Sequence, residues 1–211
     1  MNIIMTIQQI VQQRNITRLF HFTHRDNLSA ILTHGLISRE VLDEQNIAYD
    51  YNDQVRFDGH LDAICLSISY PNAKMLFKYR QLKDGDWILL AINPSILWEK
   101  NCAFYSTNAA SNNVRFNELE SMQGVDAFST LFSDDVFGNI RGENLPLEYP
   151  TDVQAEVLVF DRIETTYIMN VFHPNRESAE HFNQLHPTTN HRYYANLNGK
   201  TLYSQRHYFL G

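Results

Sequence analysis

The stretch Gln154-Ala155-Glu156-Val157-Leu158-Val159-Phe160 reads as a β-strand. Successive side chains of a strand point to opposite faces. Ala155, Val157 and Val159 therefore line one face, and Glu156, Leu158 and Phe160 line the other. This puts a carboxylate on an apolar face of a core-like strand, where burial without a partner is costly. Two readings stay open. Glu156 lies at the strand's exposed end or pairs with an arginine, or it forms the wall of a cleft. The preceding residues 133–152 show no periodicity and are punctuated by Gly138, Gly142, Pro146 and Pro150. A loop of that length inside a compact domain is uncommon and is usually functional or disordered. On the cleft reading it is the gate.

Outward from this strand, segments alternate irregularly between strand and helix. A second strand is expected at 166–172 and a helix at 175–185, with short strands to the end of the chain. On the N-terminal side, 102–105 and the nearly continuous apolar run 87–92 read as strands. A helix is expected at 113–122, and one helical turn after Asn93-Pro94. Residues 63–69 form a strand, and Pro71-Asn72 opens a helix to about 79. Asp84-Gly85 is a turn. Residues 43–60 are polar and irregular. At the start, 3–13 has helical spacing in Ile4, Ile7, Ile10 and Val11, and 19–23 reads as a strand. Asp26 is a candidate N-cap for a helix bearing Leu28, Ile31 and Leu32, which Gly35 stops. There is no regular βαβ rhythm, so the expected class is α+β with a mixed sheet flanked by helices.

The 211 residues, 44% apolar and 19% charged, suit one domain over 1–211 with one packed core. The net charge of −7 opposes binding of long duplex DNA by charge alone, so any nucleic-acid contact needs a local basic patch. Cys65 and Cys102 sit in apolar strand-like runs and read as reduced core thiols. No apolar run is long enough to span a membrane, and the first residues are not a signal peptide. The expected compartment is the cytoplasm.

His21-Phe22-Thr23-His24 ends a strand before the expected helix, and alternation sends His21 and Thr23 to one face. An i, i+3 histidine pair there is poor metal geometry, and no metal is expected. Core or capping roles are the plain alternative. Arg56 lies in the polar stretch, where a solvated arginine is the plain reading. There is no GxGxxG, GxxxxGK[ST], HExxH or GxSxG pattern.

Three segments in order resemble the DarT-type DNA ADP-ribosyltransferases, the toxin halves of toxin–antitoxin and anti-phage systems. They are Phe20-His21-Phe22-Thr23-His24-Arg25-Asp26-Asn27-Leu28, then Ile47-Ala48-Tyr49 with Arg56 beyond it, then Gln154 to Val159. The resemblance implies an ADP-ribosyltransferase-like split mixed β-sheet and mono-ADP-ribosyl transfer from NAD to a base in single-stranded DNA. It implies that His21, Phe22, Thr23, Asn27, Leu28 and Ser69 hold NAD. Arg56 and Glu156 are then catalytic, and 133–152 is the substrate-recognition loop. It also implies a cognate antitoxin that removes ADP-ribose. The segment Phe57-Asp58-Gly59-His60 to Asn72 departs from the thymidine-modifying pattern and looks more like the guanine-modifying branch. Guanine is therefore expected over thymine.

Base modification favours single strands, which are bound by backbone cations with stacking aromatics. Lys74, Phe77, Lys78, Tyr79, Arg80 and Lys83 form the densest such cluster, with Lys74 and Lys78 on one helix face. Arg141 is a second candidate contact. A solvated helix face is the alternative. Competing functions are ADP-ribosyl transfer to RNA or protein, and a non-catalytic NAD- or nucleic-acid-binding module. A monomer is expected.

Overall fold

A computed structural model of the chain describes residues 5–49, 58–82 and 86–211. Its strands are β1 (Leu19–His24), β2 (Ile64–Ile68), β3 (Trp87–Ile92), β4 (Cys102–Tyr105), β5 (Asp135–Val136), β6 (Asn139–Ile140), β7 (Glu156–Val159), β8 (Ile168–Phe172) and β9 (His191–Arg192). The α-helices are α1 (Ile7–Gln13), α2 (Leu28–His34), α3 (Arg39–Glu44), α4 (Ala73–Leu82), α5 (Ile96–Glu99), α6 (Gly124–Thr130), α7 (Arg176–Leu185) and α8 (Arg206–Leu210). Among the described residues, one sheet runs β4-β7-β2-β1-β3-β8-β9. Neighbours are antiparallel except β8 and β9, which are parallel. The class is α+β, with a mixed sheet.

Local chemistry sets several boundaries. Thr6 and Gln9 form a capping box at α1, each side chain bonded to the other's backbone N–H. Every residue of β3 is buried, as its continuous apolar run demands of a strand between two neighbours. Gly35 ends α2 at φ 79°, where Leu36 begins an antiparallel bridge to Ile163. A Cβ at Gly35 would collide with the Ile163 carbonyl oxygen, so only glycine lets the helix stop here.

The sheet is asymmetric in its coverage. One face packs Leu19, Ile64, Leu66, Ile88, Leu90, Val157 and Val159 against apolar residues of α1, α2, α5 and α6. The other face carries two separate clusters. Leu76 and Tyr79 of α4 and Leu202 cover Phe20, Leu89 and Phe172. Ala109, Val114 and Met122 cover Ala103, Tyr105 and Leu158. The sheet also parts internally. β1 pairs with β3 from Leu19↔Ile92 to His24↔Trp87, yet meets β2 only at Leu19↔Ile68 and Phe20↔Ser67.

Several expectations need correction. Asp26 does not cap α2. A 3₁₀ turn at Arg25–Asn27 intervenes, and Asn27 occupies the cap position without a capping bond from its side chain. That side chain donates to Thr23 Oγ1 instead. Arg39 to Glu44 is helical, overlapping the stretch read as irregular. The helix expected at 113–122 is a run of turns followed by a 3₁₀ turn at Leu119–Met122. Ser111, Asn112, Asn113 and Asn117 favour local side-chain bonds over a helix ladder. The helix comes later, at α6, where Ala127 and Phe128 bury against the sheet. The loop 133–152 contains the β5–β6 hairpin. The C-terminal segment ends in α8 rather than in strands. Asp84, Gly85 and Lys83 lie outside the described residues.

Candidate active site

The cleft opens where β1 and β2 part. It is lined by His21, Phe22 and Thr23 of β1, by Cys65 and Leu66 of β2, and by Glu156 at the start of β7. Residues of α2, α3 and the following segment form its outer wall, including Ile31, Leu42 and Tyr49. The gap itself is bridged by His21, whose Nδ1 lies 2.9 Å from the Cys65 carbonyl oxygen. That bond fixes the ring across the divergence of the two strands.

The polar groups of the cleft are pre-set by their neighbours. Asn27 Nδ2 donates to Thr23 Oγ1 at 2.9 Å, so the two side chains hold one orientation. On the opposite side the Asn72 N–H donates to Ser67 Oγ at 3.2 Å, and the Met75 N–H donates to Asn72 Oδ1 at 3.2 Å. Asn72 is almost fully buried and lines the cleft, a role that its position at a helix start does not signal.

Glu156 is 5% exposed. It stands on the face of β7 that also bears Leu158, as the alternation requires, and both faces of the strand are buried. The exposed-strand-end reading therefore fails. The Ala109 N–H donates to Glu156 Oε2 at 2.7 Å. Tyr105 is its register partner on β4. Burial, with Asp58 and Glu156 nearby, pushes the Tyr105 phenol above its ordinary pKa. The carboxylate is thus held by a backbone donor in a half-apolar cleft, the environment in which a fixed negative charge acts most strongly.

The other expected site residues separate. Leu28 is buried in the core of α2, away from the cleft lining. Ser69 lies beyond the end of β2 at φ 58° and does not line the cleft; Ser67, two residues earlier, does. Arg56 lies outside the described residues. Lys74, Lys78 and Arg80 are exposed on α4, as is Phe77. Tyr79 does not share the exposed surface of these cations; it turns inward and lines the cleft. It is 4% exposed and stacks on Trp87 with ring centroids 6.2 Å apart.

Arg141 is turned inward. Its guanidinium donates to the carbonyls of Tyr149 (2.8 Å) and Pro146 (2.9 Å), and burial lowers its pKa. Two more arginines brace the same loop. Arg14 donates to the Leu147 carbonyl at 3.0 Å, and Arg206 to those of Pro150 (2.7 Å) and Thr151 (3.1 Å). The segment without periodicity is therefore ordered by side chains from the residue that ends α1, from itself and from α8. Sequence spacing carries no signal for such long-range bonds.

Among the described residues, no three His, Cys, Asp or Glu side chains gather as a metal site. None of the described helices is long and apolar enough to cross a membrane. Cys102 is buried, which pushes its thiol up to about 12.

Residues 20–203 match the sequence model of the family described as DarT, ssDNA thymidine ADP-ribosyltransferase. The fold is similar to that of Thermosipho africanus DarTG in complex with ADP-ribose, at 17% identity and a TM-score of 0.61 over 84% of this chain and 49% of that one. The chain thus spans about half the length of that relative. It is also similar to Thermus sp. 2.9 DarT in complex with NAD⁺, at 15% identity and a TM-score of 0.50 over 82% of this chain and 89% of that one. No curated protein matches the chain by sequence.

Proposed function

Because the chain belongs to the DarT family, whose model it matches over residues 20–203, we propose that it transfers one ADP-ribosyl group from NAD⁺ to a base of single-stranded DNA. The observation that carries the reading is Glu156, a buried carboxylate held by the Ala109 N–H at the wall of the cleft between β1 and β2.

The cleft's groups fit NAD⁺. Thr23 and Asn27 offer an oriented hydroxyl and amide for a ribose or a carboxamide, and His21 offers an imidazole edge. Phe20, Phe22 and Leu66 supply apolar walls for a planar ring. NAD⁺ supplies an ADP-ribosyl group on a leaving group that departs neutral, with positive charge building on the ribose as the bond breaks. In this reading Glu156 stabilises that charge and accepts a ribose hydroxyl hydrogen or the proton of the attacking base nitrogen. Arg56 acts beside the base or the phosphates. None of these roles draws on a metal.

For the base we favour guanine over the thymine of the family's description, on the departure at 57–72. Lys74, Lys78 and Arg80 give the strand a local positive surface on an acidic chain. Arg141 orders the loop and is left out of the DNA contacts. Residues 1–211 act as one domain, as a cytoplasmic monomer, and a cognate antitoxin removes the ADP-ribose in a toxin–antitoxin or anti-phage system.

The test is the intact mass of single-stranded oligonucleotides, each enriched in one base, after incubation with protein and NAD⁺. A gain of one ADP-ribose on the guanine-rich strand is expected. A gain on the thymine-rich strand corrects the base. No gain on any DNA moves the acceptor to RNA or protein.

A further inference from the structure

Pairing between β4 and β7 ends at Tyr105↔Glu156. Beyond it the two chain segments stay joined by side chains. Ala109 N–H bonds the Glu156 carboxylate at 2.7 Å, and Thr107 Oγ1 donates to Asp152 Oδ2 at 2.7 Å. Segment 107–109 is therefore fastened to segment 152–156 at two points.

Asp152 is 5% exposed and Thr107 is 6% exposed. A buried carboxyl demands donors, and Asp152 has three. Besides Thr107, Asn139 Nδ2 of β6 donates to Oδ2 at 3.3 Å, and the Gln154 N–H donates to Oδ1 at 2.9 Å. The Asp152 carbonyl also accepts the Ala155 N–H at 3.2 Å, leading straight into β7. Three parts of the molecule meet at this side chain. They are the hairpin of the 133–152 loop, the start of the strand bearing Glu156, and the 107–110 segment. From that segment Asn108 and Ala110 face the cleft.

We infer that Asp152, acting through Thr107, is a positioning residue for Glu156. It sets the 107–109 backbone so that the Ala109 N–H holds the carboxylate in the cleft, and it links that setting to the loop. This rests on the proposed reading that Glu156 is the reacting carboxylate. A misplacement of about 1 Å at a reacting group costs on the order of a hundredfold in rate, so a bond two residues away from the holding N–H is well placed to matter.

The test compares Thr107→Val, which keeps shape and removes the donor, with Thr107→Ser, which keeps the donor. Two readouts are taken on the full chain. The first is hydrogen exchange of the Ala109 amide without substrate. The second is release of nicotinamide from NAD⁺, separated into kcat and KM. In Thr107→Val, Ala109 protection and kcat each fall about tenfold, KM for NAD⁺ stays within about twofold, and Thr107→Ser restores both. The inference is overturned if Ala109 protection in Thr107→Val matches the wild type. It is equally overturned if Thr107→Ser behaves as the valine variant does, or if protection is lost throughout the sheet. A wild-type protein that releases no nicotinamide overturns the proposed function instead, and the Ala109 exchange still decides the coupling.

Discussion

Two buried polar sites sit at opposite parts of the sheet. At one, the carboxyls of Glu156 and Asp152 are met by N–H and hydroxyl donors from separate segments. At the other, His173 and His191 bond each other, Nε2 to Nδ1 at 2.9 Å, beside Phe182. The outer nitrogens of that pair, His173 Nδ1 and His191 Nε2, are buried with no partner. The first site is built to give each buried carboxyl its donors. The second is built to stay neutral. Burial, the other histidine and Arg25 push His173 down to about 4; burial and His186 push His191 down to about 4. Burying a polar group is thus answered in two ways, and only the first sets a carboxyl at the wall of the cleft.

The largest effect that could break this contrast lies in the braces of the first site. Arg206→Ala removes two donors from the Pro150 and Thr151 carbonyls and uncovers Tyr149, over whose ring the guanidinium sits. Unfolding free energy should fall by about 3 kcal/mol, since charge-assisted bonds to buried carbonyls are lost. Urea midpoints at pH 7 check this; a change within error would mean the loop is ordered without its arginine.

A smaller effect sharpens the second site. The native pair binds protons near pH 4, whereas unfolded histidine does so near 6.5. The unfolded state therefore binds more protons between those values, and the pair's contribution to stability drains away as pH falls from about 6.5 to about 4. Below that window it changes no further. The loss should reach roughly 1–3 kcal/mol. Urea midpoints measured from pH 7 to 4.5 should fall more steeply in the wild type than in His191→Gln. Parallel slopes would show that the pair does not titrate in this way.

The smallest effect concerns the exposed cations of α4. Replacing Lys74 and Lys78 together by alanine should flatten the dependence of log affinity on log salt for single-stranded DNA by about 1.4. Fluorescence anisotropy across a salt series measures it. An unchanged slope would place the strand elsewhere.

Much of the frame was legible in the chain because its signals are local. The run from Trp87 to Ile92 is apolar throughout and becomes the fully buried β3. The alternation around Glu156 gave its face correctly, and the burial of both faces made the carboxylate conspicuous. What escaped depends on partners far along the chain. Asp152 looks like an ordinary loop residue until Thr107, 45 residues away, is seen to bond it. Arg141 has the composition of a DNA contact, yet its loop's own carbonyls claim it. Leu28 falls inside the segment whose resemblance implies NAD binding but turns into the core, because helix geometry and not sequence proximity decides which neighbours reach the cleft.

The central claim is that Glu156 is the reacting carboxylate. Its most direct test is the rate of ADP-ribosyl transfer to a single-stranded oligonucleotide by Glu156→Gln, alongside the wild type, with melting temperatures taken on the same samples. The amide can still accept the Ala109 N–H, so the melting temperature should hold within a few degrees while the rate falls by about 10²–10³-fold or more. Transfer at the wild-type rate by a folded Glu156→Gln protein would contradict the account.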